Sequence, residues 1–288
     1  MTEIQIGWGK SARRAYSLDD VTIVSNRRTR DVNDVDLSWK IDAYKFDLPV
    51  VASGVDRRLT VDDVSAVQRS GALAMVDFEA MWTATPDVGA VKEAIAKAKG
   101  ENGRIAASLS PKRAAELVEH ALAAEVDLLA IRGGVVSAEH VSTSSDILNL
   151  KTFIRGLDVP VIVGGCASYN AALHLMRTGA AGVLVGVSRP ELGIDVPLAT
   201  ALADARAARV RHLDETSVYC HLIAAGGIKN GVGVAKALAI GADAVLVDVD
   251  AVTASEGEHS IDQILRRSMA ACGYTDVKAF QKAEVVVR

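Results

Sequence analysis

Three charged residues stand at the carboxyl ends of apolar runs: Asp77 after Ala72–Val76, Arg132 after Leu128–Ile131 and Asp248 after Ala244–Val247. Short apolar runs without alternation are the pattern of strands covered on both faces. A carboxylate at such a strand end can act as general acid or base, and a guanidinium there can clamp an anion or polarise a carbonyl. Asp77 and Asp248 are therefore the acid–base candidates and Arg132 the clamp. Ser53, Asp56, Glu79, Gly186 and Arg189 cluster near other strand ends, with Lys229 and Asp250 in the same layer. The pairs Gly164–Gly165 and Gly226–Gly227 make turns through which backbone N–H groups can approach a ligand. Ser53, Asp56, Glu79, Arg189 and these glycines, Gly186 included, form the expected substrate-binding set. The opposing reading is structural: Arg132 pairs with Asp77 or Asp248 and fills a pocket. His140 is a further candidate base, whereas His174 and His221 read as helix-face and strand residues.

The elements that must position these residues repeat in a steady rhythm. Strand candidates are Leu48–Ala52, Ala72–Val76, Ile105–Leu109, Leu128–Ile131, Val159–Val163, Val183–Gly186, His221–Ala224 and Ala244–Val247. Between them lie Ala-rich, helix-length segments with apolar residues three and four apart, such as SPKRAAELVEHALAAE and NGVGVAKALAIG. Eight strands alternating with helices predict a (β/α)8 TIM barrel. Val161–Val187 echoes Leu222–Val249: each reads strand, Gly-Gly turn, helix stopped at Gly179 or Gly241, then buried strand. The expected organisation is one barrel domain over 1–288, with a polar, irregular N-terminal extension (1–45) packed on it and a C-terminal helix and tail (256–288). Ala181–Pro197 should be a buried strand followed by a brief polar loop, Ser188–Glu191.

Of the 288 residues, 50% are hydrophobic and the net charge is -4, which argues against a nucleic-acid or anionic-membrane surface. No signal-peptide core and no membrane-length apolar run is legible, and Cys166, Cys220 and Cys272 form no CxxC pair. Reduced thiols, a cytoplasmic setting and no metal are the expectations. Trp8, Trp39 and Trp82 read as packing or subunit-contact residues.

The stretches GKSARRAYSLDDVTIVSNRRTR, WKIDAYKFDLPVVAS, VIVGGCASYNAALHLMRTGAAGVLVG, VPLATALADARAARVRHLDET, GGIKNG and MAACGYTDVKAFQKAEV span nearly the whole chain. On them the sequence resembles the IMP dehydrogenase/GMP reductase superfamily, and within it the IMP-dehydrogenase-related subgroup without CBS domains. The resemblance implies a (β/α)8 barrel, a homo-oligomer that is usually a homotetramer or larger assembly, and a purine-nucleotide site beside a nicotinamide cofactor, NAD(P). The family's catalytic motifs do not carry over. Where it has a GPGSxCTTR-like loop with the nucleophilic cysteine, Gly186 is followed by VSRPELGI. Ala225-Gly226-Gly227 replaces the ribose-binding Asp-Gly-Gly, and Asp248-Val249 replaces the phosphate-cradling Gly-Ser or Gly-Thr. The mobile flap is reduced to VTASEGEHS, and Ser53-Gly54-Val55-Asp56 replaces Ser-x-Met-Asp. Conversely Asp77, Arg132 and Asp248 stand where the subgroup reads Asn, Gln and Gly. The expected function is acid–base chemistry on a small, non-nucleotide or non-phosphorylated substrate, with no cofactor required. The alternatives are a catalytically silent partner subunit and a residual NAD(P)-dependent purine-nucleotide oxidoreductase.

Overall fold

The computed structural model describes residues 3–54, 57–101, 103–139, 148–253 and 259–288. The barrel strands are β1 (Val50–Ser53), β2 (Leu73–Asp77), β3 (Ile105–Leu109), β4 (Leu128–Arg132), β5 (Val161–Cys166), β6 (Gly182–Val185), β7 (His221–Ala225) and β8 (Ala244–Asp248). They close in sequence order, all parallel, with β8 pairing back on β1 through Val245–Val50 to Asp248–Ser53. The helices are α1 (Val61–Arg69), α2 (Phe78–Ala84), α3 (Val88–Lys99), α4 (Ala114–Ala123), α5 (Leu150–Arg155), α6 (Tyr169–Met176), α7 (Leu198–Thr216), α8 (Gly231–Ile240), α9 (Val249–Thr253), α10 (Ile261–Ala271) and α11 (Val277–Phe280). The (β/α)8 fold expected from the strand rhythm is the fold observed.

A two-residue period divides every strand between two cores. Val50, Ala74, Ile105, Leu129, Val161, Val183, Leu222 and Val245 face the helix layer. Val51, Leu73, Met75, Ala106, Leu128, Ala130, Ile162, Leu184, Ile223 and Ala244 fill the barrel interior. At the foot the interior is plugged by an antiparallel hairpin, Trp39–Ile41 with Tyr44–Phe46. Its Trp39, Ile41 and Phe46 join the interior core, and the Trp39 indole N–H donates to the Leu48 carbonyl at 2.8 Å. Each of these large side chains contributes about 1.5–3 kcal/mol by leaving water.

The two ends of the chain depart from a simple extension and tail. Val21–Ile23 pairs antiparallel with Val285–Val287, so the termini tie each other down. Glu3–Gly7 and Lys10–Arg13 form a hairpin whose residues are all exposed, instead of packing on the domain as expected. An Arg13–Asp204 ion pair holds its base to α7. The segment after β6 also differs from the expected polar loop. Val187–Arg189 and Ile194–Val196 pair antiparallel, turning at Pro190–Gly193 with Gly193 in the left-handed region (φ 68°). The alternation Val187, Arg189, then Ile194, Val196 across that turn supports a hairpin, but the proline and glycine dominate a linear reading.

Candidate active site at the barrel mouth

The strand period that places Val51, Met75, Ala106 and Ala130 inside the barrel continues one step to Ser53, Asp77, Ser108 and Arg132 at the carboxyl ends. On the opposite strands the same layer is Gly164, Gly186, Ala225 and Asp248. This is the end of a barrel where loops converge and chemistry is placed. Ser108, 7% exposed, belongs to the layer although sequence reasoning passed over it. Counting by twos along Ile105–Leu109 is the signal that finds it.

Two cavities open at this mouth. The larger, about 1110 Å³, lies over β5, β6, β7, β8 and β1, and Asp248, Asp250, Asp195, Lys229, Arg57 and Arg132 are its charged lining. The smaller, about 500 Å³, lies over β1 to β3, lined by Asp77, Glu79, Ser108, Ser110, Arg57, Arg58 and Arg132. Arg132 and Arg57 belong to both and mark the divide. The candidate acids Asp77 and Asp248 thus rim the same end of the barrel but face different compartments.

Arg132 is half-buried, and its Nη1 donates to Ser53 Oγ at 3.4 Å and lies 4.0 Å from Met75 Sδ. Burial pulls its pKa below the usual guanidinium value, with the charge of Asp77 acting in the opposite direction. Among the described residues no carboxylate lies within ion-pair distance of Arg132. The structural pairing with Asp77 or Asp248 is therefore not formed. Asp77 instead begins α2: its carboxylate accepts from the Ala80 N–H at 3.0 Å, an N-cap bond. Asp248 likewise accepts from the Asp250 N–H at 2.9 Å at the start of α9. Glu79 reaches across to accept the Ser110 N–H and so fixes the loop after β3.

Arg57 is bound at both sides, by Asp63 at 2.6 Å and Asp250 at 2.8 Å, and ties the loop after β1 to α1 and α9. Its bond holds the Asp63 carboxyl well below the usual carboxylate range. Arg189 pairs with Glu191 within the hairpin, and its side chain lies against Gly134, where a Cβ would collide with it. Lys229 is exposed and makes no ion pair among the described residues. Asp56 and His140 lie outside the described residues.

The glycines singled out divide into two kinds. Gly164, Gly165 and Gly186 are places of close backbone approach. A Cβ on Gly165 would strike the Gly186 carbonyl oxygen, and one on Gly186 would strike that of Ala225. The Gly164–Gly165 peptide is cis, and Gly133 exchanges bonds with both residues, at 2.9 and 3.0 Å. Gly226 and Gly227 (φ 138° and 65°) have open space where a side chain would stand, and both line the larger cavity.

No cysteine lines either cavity. Cys166 closes β5 but is 2% exposed, and burial pushes its thiol up to about 12. Burial also raises Cys220 and Cys272. A thiol held this far above neutrality supplies almost no thiolate. Among the described residues no group of three or more His, Cys, Asp and Glu side chains is arranged to hold a metal ion, and no helix is long and apolar enough to cross a membrane.

With this geometry in hand, the chain can be set beside known proteins. It is 37% identical to an uncharacterized oxidoreductase of Mycolicibacterium smegmatis, over 99% of both chains. That alignment runs over 372 positions against 288 residues here, so the relative carries stretches this chain lacks. The IMP dehydrogenase of Methanocaldococcus jannaschii is 33% identical over 52% of this chain and 30% of its own length. Among solved structures, an IMP dehydrogenase/GMP reductase-like protein from Corynebacterium glutamicum superposes with a TM-score of 0.87 at 35% identity, covering 99% of this chain and 98% of its own. Residues 15–261 match the IMP dehydrogenase / GMP reductase domain. Chain-length similarity, barrel and domain match agree, and the protein belongs to the IMP dehydrogenase/GMP reductase family.

Proposed function

We propose that this member of the family has exchanged the covalent cysteine chemistry for acid–base chemistry on a small substrate without a phosphate, held at the barrel mouth by Arg132. The observation that carries the reading is the Arg132 guanidinium, half-buried in the mouth with Ser53 and Met75 as its neighbours and no carboxylate in pairing distance among the described residues. A partly desolvated cation with no carboxylate in pairing distance among the described residues is costly, and such a site is retained where a ligand supplies the counter-charge. Asp77 and Asp248, on the two sides of Arg132, are the proton-transfer groups, each oriented by the backbone N–H it caps.

Two further observations support loss of the family's nucleotide chemistry. All three cysteines are buried and none lines either cavity, so a thiolate attack has no source there. The charged lining of the larger cavity is formally balanced, with Arg57, Arg132 and Lys229 against Asp195, Asp248 and Asp250. Such a lining does not fit a nucleotide dianion together with a dinucleotide. At 4 Å two like unit charges cost about 4 kcal/mol at an effective dielectric near 20. Proton transfer by Asp77 and Asp248 needs no hydride carrier, so the proposed chemistry does not call on a nicotinamide.

Thermal-shift measurements with IMP, GMP, NAD(P) and a library of non-phosphorylated metabolites test this. Stabilisation by metabolites and none by nucleotides is expected; stabilisation by micromolar IMP or GMP overturns it. A catalytically silent, partner-binding protein is the second reading, favoured by the engagement of both candidate acids in helix caps. The bare hairpin with Ile4, Ile6 and Trp8 exposed also favours it. Under that reading Asp77→Asn and Asp248→Asn leave every activity of the chain unchanged.

A further inference from the structure

We propose that the ligand class of this mouth is a monoanionic organic carboxylate with an apolar body, its carboxylate on Arg132 at the junction of the two cavities. The inference rests on the reading above for the location of the site and goes beyond it in naming what binds.

The guanidinium offers five N–H donors in a planar fork, of which one nitrogen has a neutral hydroxyl at 3.4 Å and a thioether at 4.0 Å. The remaining donors have no acceptor among the described residues. A planar carboxylate matches that fork with two parallel, charge-assisted bonds, which a carbonyl cannot do. Arg132, with Arg57, stands where the two cavities meet, so a group bound there can extend into either.

The two compartments differ in character. Leu184, Val187, Val196, Leu198, Ile228 and Leu246 give the larger one apolar walls. At about 1110 Å³ it is roomy enough for a drug-sized molecule, which typically needs roughly 300–1,000 Å³. The smaller one presents Arg58, Ser108 and Ser110 beyond Arg132. An apolar body therefore belongs in the larger cavity, with the charged head directed to the divide.

The flanking charges select the head group. Asp77 faces the smaller cavity and Asp248 the larger, so a doubly charged phosphate on Arg132 meets a carboxylate on either side. Passing from a dianion to a monoanion halves both the attraction to the guanidinium and the repulsion from the two carboxylates. Because the carboxylates outnumber the guanidinium, the smaller charge loses less, while a planar carboxylate still makes both bonds to the fork.

The test is calorimetric titration of the full-length chain with four probes. They are benzoate, cyclohexanecarboxylate, the neutral isostere benzamide, and phenyl phosphate. Both carboxylates are expected to bind saturably, benzamide about tenfold or more weaker than benzoate, and phenyl phosphate no tighter than benzoate. In Arg132→Gln the preference for benzoate over benzamide disappears. Should that variant fail to fold, Arg58→Gln, on the exposed side of the smaller cavity, is expected to fold and to narrow the same preference. The proposal is overturned by absence of carboxylate binding, by equal binding of benzoate and benzamide, by tighter binding of phenyl phosphate, or by a preference undiminished in the folded arginine variant. The acid–base reading fails separately, when Asp77→Asn and Asp248→Asn leave turnover intact while the carboxylate preference stands.

Discussion

Two guanidinium groups, one at each end of the barrel, are treated in opposite ways. At the foot, Arg209 (side chain 8% exposed) pairs with Asp243 (4% exposed) at 2.7 Å. Asp243 also accepts from Lys278 at 2.9 Å, the Tyr219 hydroxyl at 2.7 Å, the Gln281 amide at 2.9 Å and the Leu222 N–H at 2.8 Å. Every lone pair of that carboxylate is engaged, and the bonds join α7, β7, α11 and the start of β8. At the mouth, Arg132 has a hydroxyl and a thioether. A buried carboxylate with every lone pair engaged locks elements together, whereas a half-desolvated cation with no carboxylate in pairing distance gains no ion pair. The foot network is fully occupied by protein groups, whereas Arg132 at the mouth has no carboxylate in pairing distance among the described residues.

The sharpest way to break this comparison is at the foot. Asp243→Ala strands Arg209 and Lys278 and is expected to cost about 3–5 kcal/mol, read by urea denaturation. The same network sets the response to acid. Burial alone would raise the Asp243 pKa, but Arg209, Lys278 and His221 bring it down to about 2. A folded-state value below the unfolded one means this stabilisation is complete above the ordinary carboxylate range and is lost as pH falls toward about 2. His221, whose pKa burial lowers, adds a loss that begins as pH falls below about 6.5, the unperturbed imidazole value. Circular dichroism against pH should show acid unfolding, and Arg209→Met should move its midpoint upward.

Next in size is a pair of glycine substitutions at the mouth. Gly186→Ala places a methyl against the Ala225 carbonyl at φ 143° and is expected to cost upwards of about 2 kcal/mol, whereas Gly226→Ala meets open space and loses only about 1 kcal/mol from its positive φ. Thermal melts of the two proteins separate packing glycines from cavity-facing ones.

The third effect has the opposite sign. Arg132→Met removes a partly desolvated charge that has no carboxylate in pairing distance among the described residues, and is expected to stabilise the fold by about 1 kcal/mol, raising Tm by ~2 °C, while binding of the proposed carboxylate is lost. The equivalent Arg209→Met destabilises, so the two arginine variants bracket the comparison. Smallest is Asp77→Asn. Asparagine caps a helix as well as aspartate, so stability should stay within about 0.5 kcal/mol while any proton transfer by that carboxylate stops. Melting and turnover of one preparation read both.

Much of this was legible in the linear chain, and the physical reason differs from element to element. The eight strands were readable because runs such as Leu128–Ile131 are short, apolar on successive residues and spaced by helix-length amphipathic segments, the pattern of strands covered on both faces. Arg132, Asp77 and Asp248 stood out because a charge terminating such a run has to emerge at a barrel end. The exposed Glu3–Arg13 hairpin was not readable, since a polar, irregular stretch reads as an extension packed on the domain and only the fold shows its residues exposed. Ser108 was missed because one hydroxyl within IAASL carries no charge to draw the eye.

What the sequence by itself determined is the strand and helix rhythm, the barrel it closes into, and the chemical types gathered at the carboxyl ends. Apolar periodicity is local and survives in one dimension. Pairings are not local: the tertiary structure alone decided that Arg209 meets Asp243 while Arg132 meets no carboxylate among the described residues. It also decided that Asp77 and Asp248 cap helices in separate cavities. Which charges neutralise each other depends on distances of a few ångströms between residues far apart in the chain, and only closing the barrel sets those distances.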